Sequence, residues 1–200
     1  MDTLDAIVAR RSTGRLTEPA PGGDDLTHIL EAAAAAPDHG ELRPFRFVVL
    51  EGEAKDAFGQ VLADAYLHRC AALGAEPTEG QLAKERTKLG RAPLVLVVCA
   101  VHRHSEAIPW VEQFAAAAAA AQNALLAATS LGYGSMWRTG DVAYDARVKA
   151  ALGLGEHDAV VGFLYLGTPH DGEAKPPRRP DLAGLVERWQ PPPADPATPE

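Results

Sequence analysis

Two hundred residues, 46% hydrophobic and 23% charged, suit one globular domain burying roughly 70% of the surface its unfolded chain exposes, and exclude a disulfide-stapled miniprotein. Asp and Glu number 27 against 19 Lys and Arg, a formal charge of -8, which argues against a general nucleic-acid or anionic-membrane surface but leaves local basic pockets open. No run reaches about 18 apolar residues, and the opening MDTLDAIVARRS lacks the basic-then-apolar order of a secretory signal, so a soluble cytoplasmic protein is expected.

Leu4, Ile7 and Val8 recur at helical spacing with polar residues between them, which predicts a short helix from Thr3 that ends near Arg10 and Arg11. The stretch GRLTEPAPGGDD is broken by Pro and Gly. Asp24 or Asp25 then caps a second helix through Leu26, Ile29 and Leu30 that stops at Pro37. FRFVVL, Phe45 to Leu50, reads as a strand, followed by a helix from about Ala54 to Leu73 that buries Phe58, Val61, Leu62, Ala65 and Tyr66. Thr78 to Leu89 is a further helix with a wet face. Pro93 to Val101 is almost free of polar residues, as a central strand covered on both sides must be.

Trp110 to Leu131 contains seven consecutive alanines, Ala115 to Ala121, which favours a long helix that another backbone can approach closely, deep in a monomer or at a subunit interface. Asp145 to Leu152 reads as a short helix and Val160 to Leu166 as a strand. Past Gly167 the composition turns to Pro and charge, with a weak helix over Leu182 to Trp189 and a Pro-rich tail expected to be flexible. Helices and at least three strands that do not alternate regularly point to an α+β fold, with one domain over residues 1–180 and a short appendage over 181–200.

Four groups of residues could carry chemistry. Arg10, Arg11 and Ser12, with Arg15 close behind, could hold a phosphate, or form a solvated cluster at a helix end that favours cations anyway. His39, in a loop with Asp38, could donate to a ligand oxygen, or Asp38 could simply stabilise a turn. GYGSMWRTG, Gly132 to Gly140, offers Trp137 to cover an aromatic ring and Arg138 and Thr139 as donors, or a tight turn before a buried indole. Lys175, Arg178 and Arg179 form a basic run that could meet a phosphate or stay solvated. No P-loop, GxGxxG turn or GxSxG elbow is present. His102, His104 and Glu106 lack supporting ligands at metal-site spacing, and Cys70 and Cys99 read as reduced core thiols.

Taken together, LDAIVARRSTGRL, APDHGELRPFRFVVL, GYGSMWRTG and VVGFLYLGTP, in this order, resemble the motifs of the nitroreductase family of flavoproteins over about residues 1–180, and within it the compact NAD(P)H nitroreductases. The resemblance implies a central antiparallel or mixed sheet flanked by helices and an intertwined homodimer with FMN at the subunit interface. Arg10, Arg11 and Ser12 would contact the FMN phosphate and ribityl chain. His39 and the backbone at Ala35 would reach the flavin from the other subunit. Trp137, Arg138 and Thr139 would complete the binding segment, and Arg179 would close over the phosphate. Ala35 departs from the pattern, since relatives can carry Arg there, and Ala121 to Leu126 match a region associated with nicotinamide binding. The implied chemistry is a ping-pong oxidoreduction through flavin N5, from NADH or NADPH to a nitroaromatic, quinone or similar small acceptor, with no covalent nucleophile. Alternatives on the same platform are reduction of an activated alkene, dehalogenation or dehydrogenation of a metabolite, and flavin storage with little turnover.

Overall fold

An apolar run as long as residues 94–100 needs hydrogen-bonding partners at both edges and a covering layer on both faces, and the chain supplies all four. The structure is a computed structural model, described over residues 1–170 and 180–191. In chain order it forms α1 (Thr3–Ala9), β1 (Leu16–Thr17), α2 (Gly23–Ala34), β2 (Phe45–Glu51), α3 (Gly52–Ala72), α4 (Glu79–Arg86), β3 (Leu94–Ala100), α5 (Trp110–Ser130), β4 (Gly134–Arg138), α6 (Asp141–Tyr144), α7 (Ala146–Ala151) and β5 (Ala159–Pro169).

β5 is the axis of the sheet. One edge pairs with β3, from Leu94↔Leu166 to Ala100↔Ala159, and β3 in turn pairs with β2. The other edge pairs first with β4, Gly134↔Gly167 to Arg138↔Phe163, and then with β1 at Leu16↔Pro169 and Thr17↔Thr168. All these pairings are antiparallel; a single parallel bridge, Ser12↔Ser135, adds the segment after α1 to the sheet.

Alternation along β3 divides the core. Val95, Val97 and Cys99 face α3, α6 and α7, meeting Phe58, Leu62, Val142 and Val148. Leu94, Leu96, Val98 and Ala100 face α2 and α5, where Ala117, Ala120, Ala121, Ala124 and Ala128 replace bulk with close approach. A register shift opposite Val98 and Cys99 leaves Val161 as the extra residue of β5, so that Phe163 and Tyr165 stay on the α3 side.

The first helix ends at Ala9, close to the expected end, because Arg10 already has extended backbone (φ -55, ψ 128); only Ala6 of it is buried, and Leu4, Ile7 and Val8 are 72%, 42% and 60% exposed. Other expectations are corrected. The glycine-containing segment read as a turn is strand β4, and β1 was not foreseen. No helix spans Leu182 to Trp189. Residues 182–185 make one turn, closed by Leu185 N–H on the Leu182 carbonyl, and Leu182, Leu185, Val186 and Trp189 are all exposed. Without a packed face so short a segment gains too little to stay helical.

Candidate functional site

The break at Arg10 decides where the first basic cluster goes. Leaving the helix, the chain runs beside β4, and the Thr13 N–H donates to the Ser135 carbonyl at 2.9 Å. This places Arg10 and Arg11 on a cavity of about 220 Å³, shared with Thr13, Thr129, Tyr133 and Ser135. Ser12 is exposed and takes part through its backbone bridge. Ser135 is only 1% exposed, and its hydroxyl has no hydrogen-bond partner among the described residues. A buried hydroxyl left unsatisfied is costly, and such groups concentrate where a ligand or water completes them.

Alternation along β4 separates the other predicted residues. Met136 and Arg138 stand on the α3 side, where Arg138 Nε contacts Met136 Sδ at 3.0 Å. Arg138 and Thr139 line a second cavity of about 260 Å³ with Lys88, Gly140, Phe163 and Tyr165. Lys88 pairs with Glu85, and burial pushes the Tyr165 hydroxyl above its ordinary pKa. Trp137 points to the opposite face. Its Nε1 donates to the Val161 carbonyl at 3.1 Å and its ring packs on Gly162, so the indole lines neither cavity.

Ala35 follows α2 and borders a groove of about 360 Å³ with Ala6, Ala32, Asn123, Leu126 and Ala127; its methyl group offers no donor. His39 begins a 3-10 turn, His39–Glu41, in which Gly40 and Glu41 have left-handed backbone, φ 70 and 53, as does Arg43 just after it, φ 48. Gly40 is required there twice over, since a Cβ would also fall 2.6 Å from Ile108 Cδ1. Asp38 does stabilise this turn, accepting the Arg43 N–H at 2.6 Å, and His39 Nδ1 meets Glu112 Oε2 at 2.7 Å.

These residues do not converge within one chain. His39 sits at Glu112, near the start of α5, while the Arg10 and Arg11 cavity is at Thr129, near its end. Along a helix that separation is about 25 Å. Of residues 121–126, Ala121, Ala124 and Leu125 are buried, while Gln122, Asn123 and Leu126 are half-buried; Asn123 and Leu126 line the groove beside Ala35, where the Asn123 amide donates to the Ala32 carbonyl. Arg179, with Lys175 and Arg178, lies outside the described residues. Among the described residues no group of His, Cys, Asp and Glu could hold a metal ion, and no helix is long and apolar enough to cross a membrane. The sequence reading missed Lys88, placed on a wet helix face, and the burial of Ser135; strand alternation through SMWRT would have separated Arg138 from Trp137, had the segment been read as a strand.

A family model described as the nitroreductase family matches residues 7–168. The chain belongs to the nitroreductase family. Among relatives of this nitroreductase, "Putative NAD(P)H nitroreductase YdjA" of Escherichia coli (strain K12) is 39% identical over 169 residues, 84% of this chain and 89% of that protein. A crystal structure of a nitroreductase-like family protein from Bacillus cereus superposes with a TM-score of 0.75 at 26% identity, covering 94% of this chain and 96% of the other. Another, a "putative nitroreductase in complex with FMN" from Desulfovibrio desulfuricans, has a TM-score of 0.67 at 28% identity, covering 96% and 99%. The α+β architecture of a central sheet between helical layers is therefore that of the family.

Proposed function

We propose that this chain is an FMN-dependent oxidoreductase that takes electrons from NADH or NADPH and passes them to nitroaromatic, quinone or similar small acceptors. The observation that carries the reading is the cavity lined by Arg10, Arg11, Thr13 and Ser135, inside the family-matched span. Cations beside a neutral donor are the groups a phosphate monoester requires. The named relatives point the same way: one carries the NAD(P)H nitroreductase name and another was crystallised with FMN.

When bound, FMN supplies an N5 atom that accepts a hydride from the nicotinamide and passes it to the acceptor. Arg10, Arg11 and Ser12 hold its phosphate and ribityl chain. Lys88, Arg138 and Thr139 supply donors suited to the carbonyl edge of the ring, where a fixed cation favours added negative charge. Trp137 supports Arg138 from the other face of β4. No side chain here is asked to form a covalent bond or to act as an obligatory acid.

The site is completed by a second copy of the chain. His39 reaches a flavin held by Arg10 and Arg11 only from a partner, because about 25 Å of α5 separates it from them, and Ala35 of the same partner accompanies it. The apolar residues Leu4, Val111 and Phe114, 72%, 70% and 37% exposed, suit such an interface. Residues 1–180 form this catalytic unit, with 181–200 as an appendage and Arg179 at its phosphate end. Free thiols at Cys70 and Cys99 fit the cytoplasm.

The test is anaerobic titration of the purified protein with NADH and NADPH, following the visible flavin absorbance, with light scattering for chain number. Bleaching by either donor in a dimer, reversed by a nitroaromatic or quinone, is the expected result. A colourless chain that takes up no FMN overturns the proposal, and a yellow protein refractory to both donors redirects it to flavin storage.

A further inference from the structure

We propose that Glu112 is a positioning residue for His39: its carboxylate holds the imidazole proton on Nδ1 and leaves Nε2 as a bare acceptor for a hydrogen-bond donor of the FMN bound by a partner chain. The inference rests on the FMN reading above and adds a residue that lies outside every motif of the resemblance.

Chemistry fixes the direction of the bond. Glu112 stands in the first turn of α5, and its Oε2 lies 2.7 Å from His39 Nδ1. A carboxylate can only accept, so Nδ1 donates, and an imidazole with one proton then keeps its lone pair on Nε2. Pro37, Ala115, Ala116 and Ala119, which line the adjoining cavity of about 360 Å³ together with the pair, bring only apolar side chains to it. Asp38, also on this cavity, is engaged by the Arg43 N–H and in any case offers no donor. The donor that Nε2 requires therefore comes from outside the chain, and the ribityl hydroxyls and ring N3–H of FMN are such donors.

An exposed ion pair by itself is worth little, and these two side chains are 66% and 47% exposed. What sets this pair apart is how both of its ends are held. The segment that carries His39 has left-handed backbone at Glu41 and Arg43, a conformation that side chains rarely adopt and that persists only where the surroundings over-determine it. Its Gly40 lies against Ile108, with no room for a Cβ. Ile108 is in turn tied to the start of α5, because buried Gln113 donates to the carbonyls of Arg103 and Ile108 at 2.9 and 3.1 Å and accepts the Arg103 N–H at 2.8 Å. Glu112 is the next residue along the helix from Gln113. The turn that bears His39 and the helix that bears Glu112 are thus packed as one unit, and the imidazole is oriented before any ligand binds.

The experiment uses the full chain with Glu112→Ala, His39→Ala and the double change. Nitrogen NMR of the flavin-free protein at about pH 8, where an ordinary imidazole carries one proton, reads the tautomer of His39. It is expected to be Nδ1–H in the parent and mostly Nε2–H, the preference of a free imidazole, in Glu112→Ala. Fluorescence titration should show Glu112→Ala weakening FMN about three- to tenfold, the worth of about one hydrogen bond, with no further loss when His39 is already alanine. Thermal unfolding without flavin should move little. An unchanged tautomer, an unchanged FMN affinity, or the same loss in the His39→Ala background overturns the inference and leaves the FMN reading standing. So does a marked fall in the unfolding temperature, which would mean that Glu112 holds the turn rather than the ring. If the parent chain takes up no FMN, the FMN reading fails and the inference falls with it.

Discussion

Gly162→Ala tests how β4 is held against the sheet. An ideal Cβ at this position would lie 2.1 Å from Trp137 Nε1, 2.6 Å from Cδ1 and 3.1 Å from Cε2. Ordinary contact needs about 3.5 Å, so the indole must retreat by roughly 1.5 Å. It cannot do so freely, because Nε1 donates to the Val161 carbonyl and the Trp137 backbone pairs with Leu164. Losing the hydrogen bond costs about 1 kcal/mol and overpacking about 1–3 kcal/mol, together about 2–4 kcal/mol. For a chain of this size that is roughly 4–16 °C in Tm. Urea and thermal unfolding of Gly162→Ala, Trp137→Leu and the double variant form a cycle. With the indole gone, the added methyl should cost under about 1 kcal/mol, leaving a coupling of about 1–3 kcal/mol. Equal costs in both backgrounds would show that the close approach of indole and glycine is not what fixes β4, and the reasoning would fail.

Three further predictions address separate parts of the molecule. Asp158 accepts the N–H groups of Gly155 and His102, each at 2.8 Å; although burial alone raises its pKa, these bonds, with Lys149 and Arg46, hold the carboxyl below its ordinary range. Because its folded pKa is depressed, its contribution is present above the unfolded value and lost as pH falls through the folded one. Asp158→Asn should therefore cost about 1–2 kcal/mol in urea unfolding at pH 7, a difference that fades below about pH 4; a penalty unchanged with pH refutes this. Burial pushes the Cys99 thiol up to about 11, only partly opposed by Arg46. A thiol reagent at mildly alkaline pH should thus label half-buried Cys70 in the native protein and Cys99 only after denaturation, and rapid labelling of both would contradict the burial. Arg10→Ala should weaken FMN by about tenfold or more, with a shallower salt dependence than the parent; equal affinity by fluorescence titration removes Arg10 from the site.

The sequence reading succeeded where local composition and tertiary demand agree. LVLVVCA could be little else than a doubly covered strand, and the alanine run little else than a closely packed helix. It failed where pairing overrides composition. Two glycines make GYGSMWR look like a turn, yet Gly134 allows β4 to lie against Leu16 and Pro169, and partners on β5 impose the extended state. Helical spacing identified Leu4, Ile7 and Val8 as one apolar side of α1 but carried no information on what covers it. At the candidate site the arginines were visible as a motif. Ser135 was not, because an unsatisfied hydroxyl is a property of the folded neighbourhood rather than of the residue.

The position of β5 also sets the timing of folding. β1, β3 and β4 each pair with residues 159–169, and the pairing of Leu16 with Pro169 spans most of the chain. A chain emerging from the ribosome therefore has its hydrophobic strands made long before the one that joins them, and must keep β3, with its continuous row of Val and Leu, from pairing elsewhere. Truncation ahead of residue 159 should leave an aggregation-prone fragment rather than a smaller folded unit, and synthesis of this protein should be most exposed to chaperones in that last interval.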